Sequence, residues 1–292
     1  MTYWFKAIGF ILYLLPRTWR RFLGFLLGVL WFDILRIRRQ IVLQNLQKAF
    51  PQWEEQKKIH VGRRSLQNMG FHFVDLLTLP YWQESDFNKY IVFEGMENLN
   101  RALEKQKGVY FLSLHLGDGD LGSNAIARRG SAINIITKRF KNKKWDQLWF
   151  GLRGAHGVQY IEAHSATTAF DILKALKKNQ IVVFVMDQFM GPPYGIATEF
   201  FGHKTGTAYG LSLFVQKTQT SVLPVYSYEG PDHKLHVVFE KPLDNPPGID
   251  QNKDKIWQQL QWTQLFCDRI ESIVRAYPEH WMWVHRRWKK FE

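Results

Sequence analysis

The stretch VYFLSLHLGDGD, residues 109–120, joins an apolar run to a polar turn that carries His115, Asp118 and Asp120. An uninterrupted apolar run of this length is typical of a strand that is buried on both faces of a sheet. Residues 121–129, which are followed by Gly130, predict a helix directly after the turn. A strand followed by a helix indicates an α/β fold and places His115 at the carboxyl end of a strand, where such sheets bind ligands.

The alternation of strand and helix continues along most of the chain. No repeat, low-complexity tract or long linker marks an internal boundary, so residues 36–292 are predicted to form one α/β domain with a single mixed sheet flanked by helices. A Gly/Thr-rich segment, Thr205 to Thr207, is interpreted as the start of a helix. Further predicted strands lie at 90–94, 132–136, 159–161, 181–186, 222–226 and 235–239, and further helices at 96–106, 145–153, 167–178 and 253–276.

The first 35 residues contain two apolar stretches, Ile8 to Leu15 and Phe22 to Leu35, with Pro16 and several arginines between them. Each stretch is shorter than the ~20 apolar residues that cross a bilayer straight. We therefore predict that residues 1–35 form a helical membrane anchor that lies in the interface or inserts with a kink, with the rest of the chain on the cytoplasmic side. A pair of buried core helices is the alternative.

The composition favours a partner with negative charge. The chain carries 39 Lys and Arg against 26 Asp and Glu, a net charge of +13, and contains 12 tryptophans. A basic surface suits nucleic acid, anionic lipid or an acidic carrier protein, and tryptophan favours the membrane interface. The apolar N-terminus argues against nucleic acid. The last residues, 278–291, combine tryptophan and basic side chains, which suits lipid head groups, nucleic acid or closure of the core.

His115 and Asp120 have the residue types of a general base and the carboxylate that orients it. One imidazole nitrogen takes a proton from a hydroxyl while the carboxylate holds the other N–H and stabilises the imidazolium. Gly117 and Gly119 allow the tight turn that brings Asp120 back toward the imidazole. A solvated loop and a metal site that includes Asp118 are the alternatives; no second cluster of such residues follows, so no metal is expected.

Two other predicted strands end in polar residues. Lys138 and Arg139 belong to a basic cluster after the strand at 132–136, at the same edge of the sheet as His115, and suit an anionic substrate group. Asp187 and Gln188 follow the strand at 181–186, where Asp187 either contacts substrate or bonds the loop backbone. A solvated charge run is the alternative for the basic cluster.

Several motifs together resemble one known family, the bacterial lipid A biosynthesis acyltransferases, which are the lauroyl and myristoyl transferases of the lysophospholipid acyltransferase superfamily. The likeness extends over nearly the whole chain. The closing stretch is the most specific of the motifs because its tryptophans and basic residues follow the family's signature closely. The matching segments are RRQIVLQNLQKAFP at 38–51, HLGDGD at 115–120, DQ at 187–188, FFG at 200–202 and PEHWMWVHRRWK at 278–289.

The resemblance implies a glycerolipid acyltransferase-like fold and transfer of a fatty acyl chain to a hydroxyl of a lipid A precursor. The donor would be a thioester of acyl carrier protein or coenzyme A, used as co-substrate without a further cofactor, at the cytoplasmic face of the bacterial inner membrane. His115 would act as base and Asp120 as its orienter. Gly117, Lys138, Arg139, Asp187 and Gln188 would bind substrate, with amides near Gly117 and one of the two cations stabilising the oxyanion.

The chain departs from the family at two places. It has Thr137, Lys138 and Arg139 where relatives carry an aromatic residue followed by Arg, and Gly119 where the family's turn has tryptophan. These changes concern the acceptor more than the chemistry, and a lysophospholipid, an aminolipid or another glycolipid remain alternative acceptors. No GxSxG motif is present, and Cys267, the single cysteine, is expected to pack in the core. A non-catalytic membrane-binding module is the alternative of another class.

Overall fold

A computed structural model of the chain describes residues 2–250 and 253–291. Seven strands form one sheet in the order β1-β9-β8-β2-β5-β3-β4, and β6 and β7 form a separate hairpin. The strands are β1 Ile91–Glu94, β2 Val109–Ser113, β3 Ile133–Thr137, β4 Gln159–Glu162, β5 Ile181–Val185, β6 Gly195–Phe200, β7 His203–Ala208, β8 Val222–Glu229 and β9 Leu235–Phe239.

Helices cover both faces of this sheet and form the whole N-terminal part of the chain. They are α1 Thr2–Leu14, α2 Arg17–Val29, α3 Arg39–Ala49, α4 Glu55–Thr78, α5 Glu84–Tyr90, α6 Met96–Glu104, α7 Gly119–Arg128, α8 Lys143–Arg153, α9 Thr168–Lys177, α10 Gly210–Thr218 and α11 Lys255–Ala276. A π-helical turn, Leu30–Ile34, extends α2, and 3₁₀ turns lie at Leu79–Tyr81 and Pro278–His280. The predicted α/β class with a mixed sheet flanked by helices is confirmed.

The strand β2 lies at the centre of the sheet, parallel to both β5 and β8. Its residues 109–112 are at most 1% exposed. Side chains alternate between the faces, because Val109 and Phe111 pack in one hydrophobic cluster while Tyr110 and Leu112 pack in the other. Cys267 is buried in the second of these clusters, as expected. The sheet is mixed because β9 runs antiparallel to β8 while its other pairs are parallel.

The prediction of a helix start at Thr205 to Thr207 is wrong. These residues lie in β7, which pairs antiparallel with β6. The buried hydroxyls of Thr198 and Thr207 lie 2.7 Å apart, and the hydroxyl of Thr205 donates to the carbonyl oxygen of Arg287. Threonine is branched at Cβ and favours the pleated surface of a strand, so its own preference agrees with the hairpin.

The N-terminal helices pack against α4 through glycines. A Cβ at Gly24 or Gly28 would lie 2.3 Å from a backbone atom of α4, and one at Gly70 would lie 2.3 Å from the carbonyl oxygen of Gly24. In the same region Arg17 and Arg20 pair with the buried carboxylate of Asp75. These contacts join α2 to α4 with no space between their backbones.

The opposite side of α1 and α2 exposes apolar side chains. Among the residues that are at least 40% exposed are Trp4, Ile8, Phe10, Ile11, Leu14, Trp19, Phe22, Phe25, Leu26, Leu30, Ile34 and Leu35. Within residues 2–250 and 253–291, no helix has both the length and the apolar character needed to cross a bilayer. Many apolar side chains between Trp4 and Leu35 are thus exposed, no helix described there is long enough to span a bilayer, and the anchor stays a prediction.

Candidate active site

The imidazole of His115 lies where β2 ends, next to the carboxylate that follows β5. Its Nδ1 lies 2.8 Å from Oδ1 of Asp187, and its backbone N–H donates to Oδ2 of the same carboxylate at 3.1 Å. The two residues meet because β2 and β5 are neighbouring parallel strands whose carboxyl ends share one edge. The side chain of His115 is 42% exposed while that of Asp187 is 2% exposed. One side of the imidazole is thus fixed and the other is open.

The closing segment, which we define as residues 278–289, supports this pair from behind. Nε1 of Trp281 donates to Oδ2 of Asp187 at 2.7 Å, and the backbone N–H of Met282 donates to the carbonyl oxygen of His115. Arg287, which is 1% exposed, donates to the carbonyl oxygens of Gln188 and Gly206. Of the three locations that suited this segment, the structure shows closure of the core, which places rigid donors around the carboxylate.

The electrostatics of the pair favour a proton on the imidazole. Burial lowers the pKa of His115, but the adjacent Asp187 carboxylate outweighs burial and raises that pKa above its ordinary value. Burial alone would raise the pKa of Asp187, yet the charge and hydrogen bonds of His115, with the bond from Trp281, hold it below its ordinary value. Asp187 is therefore an anion suited to stabilising an imidazolium.

Asp120 makes a different contact from the one predicted. Its carboxylate accepts from Nε of Arg153 at 2.8 and 3.0 Å, so it pairs with α8 rather than with the imidazole. The prediction that Asp120 holds the N–H of His115 is therefore corrected: Asp187 occupies that position. Asp120 faces α8 because it is the second residue of α7, and its charge still contributes to raising the pKa of His115. A role for Asp120 in the reaction stays a prediction.

The chain is similar to known proteins over nearly its whole length. Residues 1–290 match the family model described as bacterial lipid A biosynthesis acyltransferase. The chain is 22% identical to the lipid A biosynthesis lauroyltransferase of Escherichia coli (strain K12), over 94% of this chain and 92% of the relative. It is 25% identical to the lipid A biosynthesis palmitoleoyltransferase of the same strain, over 98% and 92%.

The chain belongs to the bacterial lipid A biosynthesis acyltransferases. It is therefore an acyltransferase enzyme, which confirms the resemblance derived from the motifs. The site described above lies on the HLGDGD and DQ motifs, and the closing segment supplies Trp281 and Arg287.

In this acyltransferase Gly117 shapes the turn rather than offering its amide. Its φ of +63° is in the left-handed region, and a Cβ would lie 2.0 Å from the carbonyl oxygen of Ser227. Its N–H donates to the carbonyl oxygen of His280. The amide of Gly117 is therefore already bonded, and the expectation that amides near Gly117 bind an oxyanion stays a prediction for its neighbours. The next free positions along the chain are the amides of Gly119 and Asp120, which begin α7.

Asp118 is the N-cap of α7 and not a ligand. Its Oδ1 accepts from the backbone N–H of Leu121 at 2.9 Å. Burial raises the pKa of this carboxyl well above its ordinary value. In the described parts of the chain, no group of three or more His, Cys, Asp or Glu side chains is placed to hold a metal ion.

The two candidate cations after β3 differ in their partners. Arg139 donates from Nε to Oδ2 of Asp146 at 3.0 Å and packs its guanidinium over the ring of Phe150. Lys138 forms no hydrogen bond or ion pair with any residue that the structure describes. Burial lowers the pKa of nearby His164, and the charge of Lys138 lowers it further. Of these two cations, Lys138 is thus the one whose charge is not paired with a described carboxylate, and its contact with a substrate stays a prediction.

Gln188 lies at the edge of the site. Its side-chain nitrogen is 3.5 Å from Nδ1 of His115, at the limit of a hydrogen bond, and its backbone carbonyl is held by Arg287. The sequence pattern predicted Asp187 and Gln188 as site residues but not the contact of Asp187 with the imidazole. It also gave no prediction that Trp281 bonds Asp187 or that Arg153 bonds Asp120. The signal for Asp187 was present, since two long apolar strands each end in a titratable side chain.

Proposed function

We propose that this acyltransferase moves a fatty acyl chain from a thioester of acyl carrier protein or coenzyme A to a hydroxyl of a lipid A precursor or a related glycolipid. The observation that supports it is the asymmetry of His115: Asp187 holds Nδ1, while Nε2 has no hydrogen-bond partner among the described residues. A base that is fixed at one nitrogen and open at the other suits deprotonation of an incoming hydroxyl.

In the proposed reaction neutral His115 removes the proton of the acceptor hydroxyl through Nε2, and the oxygen attacks the thioester carbonyl. The new C–O bond forms as the tetrahedral intermediate is made, the C–S bond breaks as that intermediate collapses, and the imidazolium gives its proton to the leaving thiolate. Asp187 stabilises the imidazolium between these steps. No acyl-enzyme is required. Cys267 is 1% exposed, and burial raises the pKa of its thiol, so it is a poor nucleophile.

The oxyanion of the intermediate would bind at the start of α7. The amides of Gly119 and Asp120 have no partner within the helix, and the helix N-terminus favours negative charge. Lys138 adds a cation at the same edge of the sheet, where β3 neighbours β5. The reaction proposed here uses no metal and no cofactor other than the acyl thioester.

We further propose that the exposed apolar side of α1 and α2 lies in lipid at the cytoplasmic face of the bacterial inner membrane. Its aromatic and aliphatic side chains are at least 40% exposed, and burying such surface in lipid contributes roughly 25 cal/mol per Å². The net charge of +13 suits an acidic carrier protein and an anionic lipid acceptor. The apolar N-terminus argues against a nucleic-acid partner.

Acyl transfer by the purified protein in detergent tests the proposal. Labelled acyl carrier protein and coenzyme A thioesters are offered with lipid A precursor, lysophospholipid, aminolipid and other glycolipid acceptors. We expect transfer to the lipid A precursor, reduced by about 10² to 10⁴ in His115→Ala, which is the range that a general base supplies.

The matched control is His233→Ala, because His233 is an exposed histidine between β8 and β9 whose side chain lies near Glu229, away from the catalytic pair and the closing segment. It should transfer as the wild type does. Retained transfer in a folded His115→Ala variant would contradict the mechanism. Vesicle binding with no transfer to any of these acceptors would instead mean that the acyl acceptor is another lipid.

A further inference from the structure

A groove lined largely by arginines lies between the N-terminal helices and the closing segment. It has a volume of about 690 Å³, and its lining residues are Arg36, Arg38, Arg39, Gln40, Ile41, Leu43 and Arg286. This volume is in the range of small-ligand sites. The four guanidinium groups make it a basic cavity outside the catalytic pair.

Most of the positive charge in this groove is not neutralised by the protein. Arg39 lies 3.7 Å from Asp33, a carboxylate that is already held by two hydrogen bonds from Arg63. Arg36, Arg38 and Arg286 form no ion pair with any carboxylate that the structure describes. Three uncompensated guanidinium groups around one cavity repel one another, and a bound anion would remove that repulsion.

The backbone of the groove is held in an unusual conformation. Arg36 and Arg38 have φ values of +52° and +58°, in the left-handed region that residues with a Cβ rarely adopt. Such conformations persist where the surroundings fix them, and they concentrate at functional sites. The turn places Arg38 as N-cap of α3, whose first-turn residues Gln40 and Ile41 also line the groove, so a helix N-terminus adds to the positive potential.

The surroundings of the groove indicate a lipid rather than a soluble ligand. Ile34, Leu35 and Ile37 are between 50% and 67% exposed directly beside the arginines, and they continue the apolar side of α2. A cationic cavity beside exposed aliphatic side chains matches an amphipathic molecule whose phosphate is at the interface and whose chains are in lipid.

The closing segment connects the groove to the catalytic pair. Arg38 donates to the carbonyl oxygen of Val284, and the side chain of Asn45 donates to the carbonyl oxygens of Trp283 and His285 at 2.7 Å. Nε2 of His285 accepts from the backbone N–H of Phe189, two residues after Asp187. The closing segment therefore contains both Arg286, which lines the groove, and Trp281, which bonds the carboxylate of Asp187.

We propose that this groove binds a phosphomonoester of the lipid acceptor and so positions the acceptor's hydroxyl for His115. The proposal rests on the proposed function for the identity of the acceptor. Arg36 and Arg286 would contact the phosphate, since both are exposed and neither forms an ion pair with a described carboxylate; Arg36 donates to the backbone carbonyl oxygen of Asp33. The alternative occupants, an anionic phospholipid of the bilayer or the acidic carrier protein, are outcomes of the test.

The test measures binding in the His115→Ala background, where turnover is removed. Phosphatidylcholine vesicles carry phosphorylated lipid A precursor, the same glycolipid without its phosphates, or phosphatidylglycerol at equal charge. We expect Arg36→Gln and Arg286→Gln each to weaken binding to the phosphorylated precursor by about tenfold, as for loss of one charge-assisted contact. Binding to the dephosphorylated glycolipid should not change. Arg101→Gln, an exposed arginine of α6, is the charge-matched control and should bind as the parent does.

Three results would overturn the proposal. The first is that Arg101→Gln loses as much binding to the phosphorylated precursor as the two groove variants do. The second is that the groove variants lose as much binding to phosphatidylglycerol vesicles as to the precursor. The third is that, with His115 intact, the groove variants bind the acceptor as before but have a raised KM for the acyl carrier thioester. The last result would assign the groove to the carrier. If the wild type transfers to no acceptor while arginine-dependent binding to the phosphorylated lipid persists, the proposed reaction is contradicted but the assignment of the groove as a phosphate-binding site is kept.

Discussion

The turn after β2 and the turn after β5 contribute unequally to the site. The first carries a histidine and two carboxylates within six residues, yet neither carboxylate bonds the imidazole: Asp118 caps α7 and Asp120 pairs with Arg153. The second turn offers one carboxylate, Asp187, which holds both the ring and the backbone of His115. Proximity along the chain decides local capping, whereas the order of strands in the sheet decides which groups meet.

Among the carboxylates of the two turns, the largest loss of acyl transfer is expected for Asp187→Asn. Loss of the negative charge removes the group that stabilises the imidazolium, so transfer should fall by about 10² to 10⁴. The amide is close to the carboxylate in size, so the fold should be kept. Transfer rates of purified variant and wild type, with circular dichroism as a control for folding, measure this; transfer at the wild-type rate would return the orienting role to Asp120.

The pH dependence of the same variant distinguishes positioning from packing. In the wild type, activity should rise with pH through a His115 pKa that Asp187 raises above its ordinary value near 6.5. Without that charge, burial dominates and lowers the pKa, so the residual activity of Asp187→Asn should rise at a lower pH. Profiles of kcat/KM against pH report this shift. An unmoved inflection would mean that the titrating group is not His115.

Asp120→Asn should have a smaller effect than Asp187→Asn. The change weakens a partly exposed ion pair with Arg153, which contributes about 1 kcal/mol or less, and leaves the bond to Nδ1 in place. We expect transfer to fall by about tenfold at most, with a small decrease in melting temperature. A loss as large as that of Asp187→Asn would show that Asp120 acts on substrate or base directly.

The smallest effects are expected after β3. Lys138→Gln should raise the KM for an anionic substrate by about tenfold, because a free cation is lost. Arg139→Gln should mainly lower stability, because its guanidinium bonds Asp146 and covers Phe150. Steady-state kinetics and thermal unfolding of both variants, which remove the same charge, make the comparison. Equal changes in KM would assign substrate contact to both residues.

The fold was predictable where burial alone decides it. Apart from Ser113 at the end of β2, the strands β2 and β5 are apolar because both faces are covered, and this pattern is visible without a structure. The hairpin of β6 and β7 was missed because glycine and threonine give no clear period, although Thr205 and Thr207 are buried. The partner of His115 was missed for another reason: it is 72 residues away along the chain. Only the strand order brings the two together.

The glycine contacts between α2 and α4 have a mechanical consequence. Gly24, Gly28 and Gly70 let the two backbones touch, and Asp75 ties down the first turn of α2 through Arg17 and Arg20. The helix α2, which would lie in lipid, is thus packed rigidly against α4 and is not joined to it by a flexible linker alone. On a bilayer, the packing of α2 against α4 would fix the distance between His115 and the lipid surface. Only hydroxyls at one depth in the head-group layer would then reach the imidazole.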